Sequence, residues 1–592
     1  MAKATIQAGT NMIRMISQYW YIVLSGLIFF GALLRGYNLN WDEGQVFHPD
    51  EGNVARAVIH ASAEHKFDPA FYAYNGFTIY LARLLANICV FFTHNDDWLT
   101  KTGQVNQILR FLSLVFSVAA IPVLFLVVRR ITGSNLYALA GASLLTMSTG
   151  GIQSAHFGTT ESALVFFILL ISYFSIRIIQ EPLSVGLTMF LAVASGAALG
   201  SKTTAVAFMV MPLLAWLLVL IREKNPVVIK YVVFYLFITF LIFFISSPYT
   251  FLNYETFFRT MQFESGITDG SNTVFYTTQF QGTTPYLFQA QQLVWYVNLI
   301  TVVLGLTGIV IGIVYTVYTA DKLELLPILA FGLLYSLYVG SWYAKFIRYT
   351  VPLVPVLIIA AVWVIQLGVV FFRQKFQDNS QEQAIRKRSE RNNNVKLRLG
   401  ILIPLLFVVL LGVSVIVQAF AGIAFFSIYT RKSTRVVASE WMYQELPYGA
   451  TMLVERYDYR LPVGWNNHVN RFNYIEVDMY TVDSEGKIEL LSNALTQADY
   501  IILASKRVYG WALGSENHPL TSSYYELLFS GDLGYILERE FSSAPSFLGL
   551  QLNDDHVEET FKIFDHPRIL VFKKVDRNID YIRLLQSGIN HL

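Results

Sequence analysis

Apolar and polar positions follow two regimes along this chain. Up to about residue 428 long apolar runs alternate with short polar ones; beyond it the runs shorten to strand and helix lengths. A membrane span needs about 20 apolar residues. On that measure the pattern predicts about eleven spans, at 19–36, 107–128, 135–152, 162–180, 185–200, 204–221, 228–246, 293–318, 323–340, 350–372 and 399–425. The short pair 185–200 and 204–221, joined at Gly200-Ser201-Lys202, reads as a helical hairpin. After Tyr429 come strand-like runs at Thr451–Val454, Tyr474–Tyr480, Tyr500–Ser505 and Ile569–Lys573. Thr434–Leu446 reads as a helix with Ser433 as its cap. The expectation is an α-helical polytopic membrane protein, residues 1–428, with a C-terminal α/β domain, residues 429–592.

Composition supports the membrane reading. The chain is 54% hydrophobic and 14% charged, against roughly 25% charged in soluble domains. The single cysteine, Cys89, excludes an internal disulfide framework and reads as a small apolar packing residue. The first apolar run has no small-residue cleavage site after it and reads as a retained span.

Basic residues set the expected orientation. Arg129-Arg130, Arg177, Arg222 with Lys224, and Lys322 lie at ends that share one side. The stretch 373–398 carries eight Lys/Arg against three Asp/Glu on that same side. Beside two spans it marks a cytoplasmic loop rather than a nucleic-acid patch. A cytoplasmic N-terminus and an odd number of spans then place three parts outside a plasma (inner) membrane: the loop 37–106, the loop 247–292 and the tail.

Charges in the outer parts run against this bias. Lys202 sits in the hairpin turn, and Lys345 and Arg348 precede the span that contains Pro352 and Pro355. Arg56, Arg83 and Arg110 belong to the first outer loop and its exit. A phosphate at the outer leaflet would account for such cations; snorkelling to lipid headgroups is the simpler account of any one of them. The acids are Asp50 and Glu51 in Phe47-His48-Pro49-Asp50-Glu51, and Glu161 in Gly158-Thr159-Thr160-Glu161. Pro49 suits the first position of a helix running to about His60, where first-turn acids favour the dipole. Thr160 suits the cap before Glu161. His48 and His156 lie in the same outer regions; metal binding with Asp50 is conceivable, but no spacing demands it, so no metal ligand set is assigned. Tyr249 and other aromatics of 247–292, interleaved with amides and hydroxyls, suit a sugar or prenyl chain, or interfacial anchoring. There is no GxSxG, CxxC, HExxH or Walker loop, so neither a covalent nucleophile nor a nucleotide donor is announced.

These residues together resemble the family 39 glycosyltransferases, polyprenyl-phosphate-dependent enzymes of the GT-C fold that include protein O-mannosyltransferases and lipid A aminoarabinose transferases. His48-Pro49-Asp50-Glu51 resembles the family's acidic motif in the first outer loop. Phe71-Tyr72-Ala73-Tyr74-Asn75-Gly76 is similar to its next segment, which leads into an interfacial helix. Thr160-Glu161 stands where an acid opens a span, Gly200-Ser201-Lys202 resembles the hairpin with a lysine, and Arg348-Tyr349-Thr350-Val351-Pro352 resembles an RY-x-x-P segment. Glu455-Arg456-Tyr457-Asp458, Glu558-Glu559-Thr560-Phe561 and Asp565-His566-Pro567 are similar to tails of less-studied members.

The resemblance implies a sugar on a polyprenyl phosphate, a hydroxyl acceptor (protein, glycan or lipid) and the bilayer as partners, with no nucleic acid. It implies Asp50 as general base, Glu51 and Glu161 as orienting acids, and Lys202, Arg348 and Lys345 on the donor phosphate. His48, Tyr74, His156 and Tyr249 are candidate substrate contacts. No cofactor is firmly implied, and a divalent metal is left open. The competing class is a transporter or flippase of an anionic or sugar-bearing lipid, since charges within membranes also mark transport paths.

Overall fold

The computed structural model describes residues 18–385, 390–464 and 471–590. The basic stretch 373–398 therefore lies partly outside the described residues. The chain divides into two compact units. One comprises residues 1–39, 50–265 and 284–426; the other comprises 40–49, 266–283 and 427–592.

The first unit is helical. Among the described residues, nine helices are long and apolar enough to cross a membrane: Gly76–Thr93, Thr102–Thr132, Glu161–Gln180, Thr203–Glu223, Val227–Ser246, Leu299–Thr319, Leu323–Gly340, Leu353–Lys375 and Leu402–Phe426. Trp20–Gly36 and Val185–Ser201 are shorter apolar helices.

Two features depart from the hydropathy reading. The expected span 135–152 is two helices, Asn135–Thr146 and Thr149–His156. The break has a local cause: Ser148 caps the second helix, its Oγ accepting from Gly151 N at 3.2 Å. Gly150 then packs so closely on Tyr296 that a Cβ would meet the ring at 2.4 Å. The segment Thr78–Arg83, for which the resemblance implies an interfacial helix, lies in the helix Gly76–Thr93, which is apolar enough to be a candidate span. Hydropathy averages over a window and registers neither a single cap nor a local packing need.

The second unit holds a five-stranded sheet. Its order is Asn473–Val477, Thr451–Glu455, Tyr500–Leu503, Ile569–Lys574, Tyr535–Phe541. The first three strands run parallel and the last two pair antiparallel. The helices Glu485–Gln497, Pro519–Ser530 and Tyr581–Asn590 bring Leu491, Tyr525 and Leu585 to a core shared with Leu453, Ile501 and Phe572. The strand 535–541 escaped the sequence reading because its middle is solvent-facing, with Glu538, Arg539 and Glu540 at a sheet edge; charge on an edge strand discourages pairing with other chains. The helix Thr434–Glu445 follows Ser433, whose side chain makes no cap bond.

Two segments from the membrane part of the chain complete this unit. Phe47 packs on Tyr459 with ring centroids 4.9 Å apart, and the Arg435 guanidinium lies over both rings. Phe275 stacks on Tyr457 at 4.2 Å.

A buried charge cluster fastens the unit's late motifs. His566 Nε2 lies 2.7 Å from Asp554 and Nδ1 contacts Asp565, while Lys562 bonds Asp554 at 2.6 Å. Tyr429 donates to Asp565 at 2.8 Å. Burial disfavours the imidazolium, but Asp565 and Asp554 outweigh it and hold His566 up at about 9. A pKa raised above its unfolded value of about 6.5 contributes stability that is complete below that pH and is lost as pH rises through about 9. Thermal unfolding of the full chain at pH 6.0, 7.5 and 9.5 is expected to show this loss, of the order of 3 kcal/mol. His566→Gln should be less stable at pH 6.0 and should lack that alkaline slope.

Candidate functional site

Pro49 opens a helix that runs to His60 and puts Asp50 and Glu51 in its first turn. Its apolar face, Val54, Ala55, Ala57 and Val58, packs with Ile79, Ala82, Val105 and Leu109 from two neighbouring helices. That packing fixes the helix rotation, and the two adjacent acids then meet different surroundings.

Glu51 is fully buried. Arg110 grips it at both oxygens, Nε to Oε1 and Nη2 to Oε2, each at 2.8 Å. Gly158 N donates to the same Oε1 at 2.6 Å, and Arg110 Nη1 donates to the Leu39 carbonyl at 2.8 Å. Gly158 has no room for a side chain: a Cβ would lie 2.7 Å from both Asn106 Oδ1 and Leu109 Cβ. Glu51, expected to orient the acceptor, the sugar hydroxyls or Asp50 itself, is enclosed in the protein. It ties the helix of Asp50 to the long helix of Arg110 and to the turn that ends in Glu161.

Asp50 is about a quarter exposed, and Tyr74 and Arg348 converge on its Oδ2. The Tyr74 hydroxyl donates at 3.0 Å, and Arg348 Nη1 forms a close ion pair. Lys202 Nζ sits 4.7 Å from the Tyr74 ring centroid and pairs with Glu161 Oε1 at 3.1 Å. The result is a chain Arg348–Asp50–Tyr74–Lys202–Glu161, drawn from five separate elements.

Each member has a local support. Glu161 is the first residue of the helix Glu161–Gln180; Thr160 precedes it without a side-chain cap bond. Asn75 Nδ2 donates to Leu199 O at 2.6 Å, and Asn75 N donates to Ser201 O at 3.2 Å, fastening the Tyr74 segment to the turn of Lys202. Gly76 in turn lies close against the end of the helix Val227–Ser246, where a Cβ would meet the Ser246 carbonyl at 2.8 Å. Arg348 lies over Phe346 and Tyr349 at 5.1 and 5.8 Å. Burial, then the Asp50 charge, pushes the Tyr74 phenol well above its ordinary value. It stays protonated and remains a donor. Burial likewise raises Tyr349 to about 12, although Arg348 opposes the rise.

Other expected residues fall elsewhere. Lys345 is buried and donates to the Tyr343 carbonyl at 2.9 Å; burial lowers its pKa. His48 belongs to the sheet-containing unit, its ring centroid 4.0 Å from Phe564. His156 is fully buried at a helix end, its ring nitrogens 2.9 and 3.0 Å from the Ile152 and Tyr37 carbonyls. Tyr249 donates to Lys66 O at 2.6 Å. Among the described residues, no group of three or more His, Cys, Asp or Glu is placed to hold a metal ion. One acid near the site escaped the sequence reading. Glu264, on the helix Tyr254–Asp269, lies in the electrostatic neighbourhood of Arg348, Asp50 and Lys202. Its only sequence signal is an acid in an aromatic-rich loop.

The Glu51–Arg110 pair yields a stability prediction. Arg110→Met strands a buried carboxylate, and removing one partner of such a pair costs about 3–5 kcal/mol. Thermal unfolding should report that loss, whereas an Asp50→Asn variant should melt close to wild type.

No curated protein matches the chain by sequence. Among solved structures, ArnT from Cupriavidus metallidurans bound to undecaprenyl phosphate is similar at 14% identity and a TM-score of 0.44, covering 95% of this chain and 98% of that one. The Archaeoglobus fulgidus oligosaccharyltransferase tethered to an acceptor peptide is similar at 10% identity and a TM-score of 0.42, covering 95% and 89%. Over residues 86–263, which include Arg110, Glu161 and Lys202, the chain matches the family model of dolichyl-phosphate-mannose-protein mannosyltransferases.

Proposed function

We propose that this protein is a membrane glycosyltransferase of the GT-C type. It moves a sugar from a polyprenyl-phosphate donor to a hydroxyl acceptor at the outer face of the membrane. The N-terminus is cytoplasmic in this reading, and the loops bearing Asp50, Tyr74 and Glu264 face outward with the C-terminal unit. The observation that carries the reading is the alternation of acid and cation along Arg348–Asp50–Tyr74–Lys202–Glu161. The family-model match over residues 86–263 supports it.

The mechanism is a single displacement with inversion. Before the donor arrives, each cation is neutralised by an acid, Arg348 by Asp50 and Lys202 by Glu161. A lipid phosphate entering the site offers both cations new anionic oxygens. Arg348 turning to the phosphate releases Asp50 from its strongest partner and raises its basicity. Asp50 then takes the proton of the acceptor hydroxyl as that oxygen bonds to the anomeric carbon. The bond from the anomeric carbon to the phosphate oxygen breaks, and the lipid phosphate leaves with the electron pair. Lys202 and Arg348 stabilise the charge that grows on it; electrostatic contacts of this kind are worth about 3–4 kcal/mol each. Glu161 holds Lys202 in place, and Tyr74 holds Asp50 by its hydroxyl and Lys202 by its ring. Lys345 remains a further candidate for the donor phosphate.

Purified protein and its Asp50→Asn variant, given a panel of radiolabelled polyprenyl-phosphate sugars, test the reading. Wild type should release label from one donor, and the variant should lose about 10²–10⁴-fold in turnover while still binding the lipid. Near-normal transfer by Asp50→Asn would remove Asp50 as base. Lipid binding with no label release from any donor would favour transport of the lipid instead.

A further inference from the structure

Two helices hold site residues at one end and a basic cavity at the other. Arg110 and Glu161 lie in the early turns of the helices Thr102–Thr132 and Glu161–Gln180. Arg129 lies 19 residues beyond Arg110, and Gln180 lies 19 beyond Glu161. At 1.5 Å per residue that is about 28 Å, close to the roughly 30 Å of a bilayer's apolar core. The two far ends therefore reach the membrane surface opposite the Asp50 cluster.

The cavity there has a volume of about 460 Å³, a size that small ligands and headgroups fill. Leu126, Arg129, Arg130 and Gly133 line it from the first helix, and Tyr173 and Gln180 from the second. The first four are spaced i, i+3, i+4 and i+7, which puts them on one helix face. Gly133, at φ +67°, is the left-handed residue that ends the helix. Arg130 Nη1 reaches Gln180 Oε1 at 3.5 Å, and the Arg129 guanidinium lies 4.9 Å from the Trp20 ring centroid. Among the described residues, neither arginine forms an ion pair with an acid. Glu181, which follows Gln180, bonds Arg177 at 2.7 Å, although its charge also bears on Arg130. Three arginines thus meet one carboxylate. Leu126 is exposed on the helix flank, and Tyr173 is half-buried beside Arg177.

We propose that this cavity binds the phosphodiester headgroup of an anionic glycerophospholipid, in the leaflet opposite the Asp50 cluster. Arg129 and Arg130 donate to the phosphate oxygens, a contact that guanidinium geometry favours. Gln180 and Tyr173 supply amide and hydroxyl donors, and Leu126 lies where the acyl chains begin. The helix dipole favours a cation in the last turn of any helix, but it does not turn two arginines towards one cavity. A lipid fits better than a soluble anion because basic pockets between helices at membrane-surface depth suit anionic headgroups, and Leu126 offers apolar surface beside the charges. The inference is independent of the chemistry proposed for Asp50.

The test is native mass spectrometry of the purified full-length protein, stripped of lipid and then titrated with dioleoyl phosphatidylglycerol or dioleoyl phosphatidylcholine. The two lipids share their chains and differ in net charge. Wild type should bind the first about tenfold more tightly, and Arg129→Gln with Arg130→Gln should lose that preference. Arg222→Gln with Lys224→Gln removes the same formal charge from the far end of the helix Val210–Glu223, outside the cavity, and should keep it. Arg130→Gln alone leaves the Trp20 contact in place and should lose part of it. Melting temperatures identify the variants that fold. Equal binding of the two lipids by wild type would overturn the proposal, as would full preference in the folded double variant or in Arg130→Gln. Equal losses in the cavity variant and the Arg222/Lys224 variant would mark diffuse surface charge and overturn it. Full competition by glycerol 3-phosphate would assign the cavity to a soluble anion. Tighter binding of undecaprenyl phosphate, lost in the same cavity variant, would assign it to a polyprenyl lipid. Either result would also overturn the proposal.

Discussion

The fully buried ion pair between Glu51 and Arg110 is the constraint on which the site depends. A carboxylate in that position is tolerable only because two guanidinium nitrogens and the Gly158 amide satisfy it. The same three contacts join the helix that starts at Pro49, the helix 102–132 and the turn before Glu161. Asp50 and Glu161 therefore owe their relative placement to one residue that meets no solvent. Gly158 belongs to the constraint as well, since any side chain there would push Leu109 and Asn106 away from the amide that Glu51 needs.

Around that anchor the polar groups are less enclosed than Glu51 and Arg110. Arg348 and Lys202 are each about a tenth to a quarter exposed, and each rests against an acid and an aromatic ring. In the glycosyltransferase reading proposed above, a cation held in this way changes its acidic partner for the donor phosphate while the ring contact persists. The enclosed Arg110 has no such freedom. Neighbouring residues of like chemistry thus divide into a fixed pair and an exchangeable one, and burial draws the line between them.

The sheet-containing unit shows a second kind of dependence. Its rings and charges close over two segments, 40–49 and 266–283, that lie far from it in sequence. Phe47 meets Tyr459 and Arg435, and Phe275 meets Tyr457. The motifs around Glu455, Glu558 and Asp565 are accounted for by such packing: Glu455 accepts from Tyr525, Glu558 from Gln279, and Asp565 from Tyr429.

Much of the architecture was legible in the residues. Long apolar runs allow only helices in a bilayer, since every backbone donor and acceptor must be satisfied within the segment. Most spans, the strands at 451–455, 500–503 and 569–574, and the helix starts at Pro49 and Glu161 follow from such local rules. The break at Ser148, the edge strand 535–541 and the apolar helix 76–93 were less legible, because a cap, an edge and a packing face are not averages over a window. The chemistry divides in the same way. The sequence by itself marked Asp50, Glu161, Lys202 and Arg348 as charges in places where charge is costly. Only the tertiary structure decided that Glu51 is enclosed by Arg110 and that Tyr74 bridges Asp50 and Lys202. The reason is physical: cost is a property of a residue's surroundings in the chain, whereas pairing is a property of distance, and distance exists only once the helices have packed.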